Sequence, residues 1–149
     1  MPDAASIVAS RSWSGFTVGL RTDGILIYEP RAGVDISIDY ASQVLELGLQ
    51  IAGGRTRPIL VLMQDVRRID REARAFFASD AYLRLAYRTA LVVSSPVSRV
   101  IGNFFVGLNR LKYPCKVFDE QERAVVWLGG AVDAAALAHA HGKPENCTP

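Results

Sequence analysis

The chain is short of the residue types that carry most catalytic and metal chemistry. It has two cysteines, Cys115 and Cys147. Two are too few for a disulfide framework, so we expect a reducing compartment, the cytoplasm. The two histidines, His139 and His141, both fall in the C-terminal tail. Two positions apart, they would point to different sides of a helix, and a metal site usually needs more ligands than such a pair offers. A body without histidine excludes a Ser-His-Asp or Cys-His centre. No glycine-rich phosphate loop follows a strand-like run. The longest strongly hydrophobic stretch, Ile59 to Met63, is far too short to span a bilayer. Met1 to Ser6 lacks the basic segment and apolar run of a signal peptide. These absences predict a cytoplasmic protein that is not an enzyme, with no catalytic residue, cofactor, metal or membrane span.

What is present is a core. Half of the 149 residues are hydrophobic, and a chain of this length buries about 68–70% of the surface its unfolded form exposes. One domain is expected over residues 14–130. Residues 1–13 read as a flexible N-terminus, and 131–149 as an Ala-rich segment with a loose tail. The net charge of +2 hides an asymmetry. Arg67 to Lys116 holds eight Arg and two Lys against three acids, a net of +7. The remainder holds seven basic and twelve acidic residues, a net of −5. A basic middle could meet anionic lipid or nucleic acid. The Arg residues are interleaved with acids over several elements, however, so nucleic acid is not the expected partner.

Phe16–Arg21 and Ile25–Glu29 flank Thr22-Asp23-Gly24, and Asp-Gly is a strong hairpin signal. Val34, Ile36 and Ile38 alternate with polar residues, which predicts a third strand and an antiparallel meander. Asp39 is the expected N-cap of a helix to about Ala52, closed by Gly53-Gly54. Pro58–Met63 reads as a central strand covered on both faces. Asp70 is the expected cap of a second helix, with Phe76, Phe77, Leu83 and Tyr87 as apolar contacts and a break at Ser79-Asp80. Ala90–Val93 is another buried strand. Pro114–Phe118 is the last, followed by a helix from Glu120 to Leu128 with Asp119 and Glu122 as a variant capping box. Strands alternating with helices predict an α/β sheet with helices on its faces.

The clearest single element is Ser94 to Leu111. Ser95 suits the N-cap and Pro96 the first helical position. Val97, Val100, Ile101, Phe104, Phe105, Leu108 and Leu111 make a wide stripe, expected to face the core.

Three motifs carry a family resemblance. They are Asp65-Val66-Arg67-Arg68-Ile69-Asp70-Arg71-Glu72-Ala73-Arg74-Ala75-Phe76-Phe77-Ala78-Ser79, then Ser95-Pro96-Val97-Ser98-Arg99-Val100-Ile101-Gly102-Asn103-Phe104-Phe105 with Gly107-Leu108-Asn109-Arg110, and Phe118-Asp119-Glu120 with Trp127-Leu128. Through them residues 16–128 resemble bacterial STAS/SEC14-domain, or SpoIIAA-like, proteins. The resemblance implies a STAS-like mixed β-sheet with an N-terminal antiparallel meander and helices packed on it. It also implies a role in binding a protein partner. STAS antagonists switch on a phosphoserine after an aspartate at a helix start. The matching pair here is Asp70-Arg71, which cannot be switched that way.

Two sites are expected. The loops after the strands near Met63 and Val93 would bring Asp65, Arg67, Ser94, Ser95, Ser98 and Arg99 together at the carboxyl end of the sheet, where open α/β sheets bind ligands. A helix N-terminus with hydroxyls and an arginine suits a small anion such as a phosphometabolite. The second site is a protein-interaction surface, for an unidentified partner or a homodimer, built on Gly102, Asn103, Asn109 and Arg110. Ser98 and Gly102 would form its flat, close-approach patch.

Overall fold

The computed structural model describes residues 6–63, 65–108 and 111–130. Its sheet grows outward from the predicted hairpin. Strands β2 (Phe16–Arg21) and β3 (Leu26–Pro30) pair antiparallel. Gly24 turns the chain with a positive φ of 91°, and the Gly24 N–H donates to the Arg21 carbonyl at 2.9 Å. Arg21 is buried beside this turn and forms an ion pair with Asp23 at 2.9 Å.

The third strand of the meander is not the one expected. It is β1 (Ile7–Trp13), which pairs antiparallel with the outer side of β2. Most of β1 is exposed, so hydrophobic periodicity does not mark it. Backbone pairing makes the strand, and Trp13 anchors it, with its ring 5.6 Å from Phe16 and 5.8 Å from Tyr40. The alternating stretch after Gly33 contributes only β4 (Asp35–Ile36), set in a separate parallel ladder with β6 (Arg68–Ile69).

From β3 onward the sheet is parallel. Strand β5 (Arg57–Leu62) lies between β3 and β7 (Ala86–Val92), with β8 (Cys115–Phe118) at the far edge. The order is β1-β2-β3-β5-β7-β8. Pro58 sits at a register shift between β5 and β7, where a missing N–H is tolerated. Each parallel step is a crossover: α1 (Ile38–Ile51), α2 (Arg71–Phe77) with a 3-10 turn (Asp80–Arg84), and α3 (Pro96–Leu108). Crossovers of one handedness advancing in one direction put their helices on one face. The large core lies there, with Val18, Tyr28, Ile59, Leu85, Leu91 and Phe105 among its members. The last helix, α4 (Gln121–Trp127), covers the other face over Ile25, Leu60, Leu62, Ala90 and Val92. Central β5 is therefore packed on both sides, as its apolar run predicts. The mixed α/β architecture agrees with the sequence reading.

The capping residues differ. Helix α1 is capped by Ser37, whose hydroxyl accepts the Tyr40 N–H at 3.2 Å, and not by Asp39. Asp70 occupies the N-cap position of α2 without a side-chain cap bond, because its carboxylate accepts from Arg68 at 3.0 Å. Glu120, not Asp119, precedes α4, and Asp119 instead faces Arg99. At α2 and α4 a carboxylate that could cap pairs with an arginine instead. Tyr87, expected among the apolar contacts, is exposed, and Tyr82 is buried in its place.

Candidate functional site

The start of α3 is a closed hydrogen-bond knot. The Ser98 N–H donates to the Ser95 hydroxyl at 3.1 Å, as expected of an N-cap. The Ser98 hydroxyl in turn accepts the N–H groups of Ser94 at 3.3 Å and Ser95 at 3.2 Å. A capping box normally uses Glu or Gln at this third helical position. Here a serine does the same work, and it is fully buried. The knot therefore consumes three of the donors that an anion would need.

The expected anion-site residues fall into two groups. Ser94, Ser95, Ser98 and Arg99 gather at this helix start, where Arg99 reaches Asp119 at 3.5 Å. Asp65 and Arg67 are tied elsewhere. The Asp65 carbonyl accepts the Gly33 N–H at 2.8 Å, and the Arg67 N–H donates to the Val34 carbonyl at 2.9 Å. Both groups lie at the carboxyl ends of the parallel strands, as expected. Among the described residues no hydrogen bond joins Asp65 or Arg67 to Ser94–Arg99.

The expected core stripe of α3 is rotated. The inner face is Ser98, Ile101, Gly102 and Phe105, at helical spacing. Val97 and Val100 are 60% and 65% exposed. The side chains of Phe104 and Leu108 lie outside the described part, and Leu111 is buried beyond the helix. The small residues explain the rotation. A Cβ on Gly102 would stand 3.4 Å from Val93 and 3.5 Å from Val117. Ser98 and Gly102 thus give close approach to the protein's own sheet, so Gly102 is inside and not on a partner surface. Asn103 is exposed. Asn109, Arg110, the tail histidines and Cys147 lie outside the described residues.

The basic middle is dispersed. Arg68 pairs with Asp70, Lys112 with Asp80 and Arg99 with Asp119. Arg88 stacks 4.9 Å over the Trp127 ring and donates to its carbonyl at 2.8 Å. Cys115 is buried. Among the described residues no group of three His, Cys, Asp or Glu could hold a metal ion, and no helix is long and apolar enough to cross a membrane.

One feature left no mark in the sequence pattern. An internal cavity lies between the sheet and α1–α3, and its wall takes side chains from five strands, three helices, the 3-10 turn and two loops. No local window could join them.

Residues 19–131 match a family model described as "Domain of unknown function (DUF7793)". A protein with unknown function from Arthrobacter sp. FB24 is 36% identical. The match covers 75% of this chain and 97% of that one, with a TM-score of 0.30. An uncharacterized protein of the DUF3478 family with a SpoIIAA-like fold, from Shewanella loihica PV-4, is 14% identical. That match covers 86% of this chain and 98% of that one, with a TM-score of 0.44. No curated protein matches the sequence.

Proposed function

The chain belongs to the DUF7793 family, a domain of unknown function, and on that premise we propose that it is a non-enzymatic, STAS-like protein-interaction module. The outer face of α3 is its contact surface. The observation that carries this is the exposure of Val97 and Val100, 60% and 65%, one turn apart on a helix whose inner face is already filled. Burying two valines contributes about 3 kcal/mol, against nothing while they face water. Switching by phosphoserine has no place in this reading, because Arg71 opens α2 where the STAS pattern has serine.

The chemistry of the patch supports a second copy of the chain as the partner. Arg99 and Asp119 flank it with opposite charges and meet only at 3.5 Å, both exposed. A two-fold axis over α3 would pair Arg99 of each copy with Asp119 of the other and join the valines between them. The buried thiol of Cys115 suits a reducing compartment, and we place the protein in the cytoplasm. The anion reading has less support, since the Ser94, Ser95 and Ser98 N–H groups are already engaged. Lipid or nucleic-acid binding has less again, because the arginines are paired and scattered.

The test is light scattering across a concentration series. The wild-type protein should dimerise, and the Val97→Asp/Val100→Asp variant should weaken dimerisation by about 100-fold or more while unfolding at the same temperature. A wild-type protein that stays monomeric throughout, or a variant that dimerises equally well, overturns the reading.

A further inference from the structure

The cavity between the sheet and α1–α3 has a volume of about 50 Å³. Its wall is almost wholly apolar and aromatic, and it includes four of the five tyrosines, Tyr28, Tyr40, Tyr82 and Tyr113. The Tyr28 hydroxyl donates to the Val44 carbonyl at 2.7 Å. Thr89 enters from strand β7, between β5 and β8. It is 3% exposed, and its Oγ1 makes no hydrogen bond of ordinary length, although Tyr82 lies near enough to feel it. A buried hydroxyl without such a bond costs about 1–3 kcal/mol, and threonine has an isosteric apolar alternative in valine. The Tyr82 hydroxyl is its polar neighbour in the wall, and a threonine hydroxyl, with one donor and two acceptor sites, keeps capacity for a further hydrogen bond.

The cavity also has a thin side. Its outer wall includes Ile36 and Ile69, which face each other in the two-residue ladder of β4 and β6, and Phe77 from the short helix α2. A ladder this short opens at lower free energy than the central sheet.

We propose that this cavity is a binding site for a small, mainly apolar molecule bearing one hydroxyl, of short-chain alcohol size, with Thr89 Oγ1 as its hydrogen-bond partner. The volume suits a ligand of a few heavy atoms. A pocket that takes benzene measures about 150 Å³. The site is independent of the α3 surface, from which it differs in both residues and ligand chemistry.

The tyrosine rings are built-in reporters, and Tyr87, 54% exposed and outside the cavity wall, is the internal control. Protein labelled at its tyrosines is titrated by NMR with propan-1-ol and, separately, with xenon, a probe of dry apolar cavities. The cavity rings should shift with both, and Tyr87 should not. Thr89→Val should weaken propan-1-ol by about fivefold, the loss of one hydrogen bond, and leave xenon unaffected. Thr89→Ser should retain the alcohol. Val61→Leu, which adds volume from the wall, should block both ligands and serves as a second variant should Thr89→Val fold poorly. The proposal is overturned if the cavity rings respond to neither ligand, as they would if ordered water held the cavity. It is equally overturned if Thr89→Val binds the alcohol as tightly as the wild type, or if Tyr87 shifts as much as the cavity rings.

Discussion

Gly48 and Gly102 stand in the middle of helices, where glycine costs about 1 kcal/mol relative to alanine, yet they are there for different reasons. A Cβ at Gly48 would collide with the Tyr28 hydroxyl and lie 2.7 Å from Leu85. The gap is what lets Tyr28 reach the Val44 carbonyl of α1. At Gly102 the nearest atom would be 3.4 Å away, an ordinary contact. Gly48→Ala should therefore destabilise by about 2 kcal/mol or more, since overpacking and a strained buried hydrogen bond exceed the gain in helix propensity. Gly102→Ala should be neutral or stabilising by up to about 1 kcal/mol. Urea midpoints at unchanged m-value measure both. The sequence shows that both helices contain glycine. It does not show which glycine makes room for a tyrosine 20 positions away. The same holds for Ser98, whose fit to the cap position is local but whose burial follows from the way α3 lies on the sheet.

At the scale of elements, the local signals that proved right were those with a local cause. The Asp23-Gly24 hairpin, the Gly53-Gly54 helix stop, with φ of 73° and 80°, and the Ser95-Pro96 helix start all depend on backbone preferences within a few residues. Strand β1 was missed because its cause is remote. It forms because β2 offers an open edge, and it is held by Trp13 against Phe16 and Tyr40 and by Arg11, which donates to Gln50 of α1 at 3.1 Å. Trp13→Ala should accordingly cost about 2–3 kcal/mol, part of the 3–5 typical of a fully buried tryptophan. Val8→Ala, at an exposed position of the same strand, should fall within about 0.5 kcal/mol of wild type. Equal losses from the two would mean that β1 is not anchored through Trp13. Helix α3 teaches a related lesson. Its apolar residues cover more of its circumference than one face can bury, and periodicity alone cannot say which part is left outside. Ser98, buried in its own cap, and Gly102, small enough for close contact with Val93 and Val117, decide it.

At the scale of the whole molecule, the tyrosines converge from separate elements onto one interior. Burial pushes the Tyr28 hydroxyl well above its ordinary range, helped by the neighbouring Tyr82 and Tyr40. Burial likewise raises Tyr40, and it raises Tyr82 with help from Cys115. The unfolded chain ionises its tyrosines near pH 10, while the native protein holds these three neutral. Above that pH the unfolded state binds fewer protons, so stability falls as pH rises. The contribution is fully present below pH about 10 and is lost at up to about 1.4 kcal/mol per pH unit per tyrosine above it. Thermal midpoints should be insensitive to these groups up to pH about 9 and drop steeply beyond 10. Tyrosinate absorbance of Tyr28, Tyr40 and Tyr82 should appear together with unfolding. A midpoint that does not fall between pH 10 and 12 would contradict this burial.

By itself the sequence determined the class of the fold. Strands alternating with helices after a hairpin leave few ways to build other than a mixed sheet with its helices on the faces, and the apolar run of β5 places that strand in the middle. Those are consequences of short-range stereochemistry and of hydrophobic pattern, both written along the chain. Only the tertiary structure decided what lies on the outside and what is enclosed. It turned Val97 and Val100 outward, engaged the N–H groups at the start of α3 in its own serine hydroxyls, joined the backbone of Asp65 and Arg67 to Gly33 and Val34, and closed tyrosines and Thr89 around a cavity. Each of these outcomes depends on the competition of several elements for one volume, and no stretch of sequence contains more than one of the competitors.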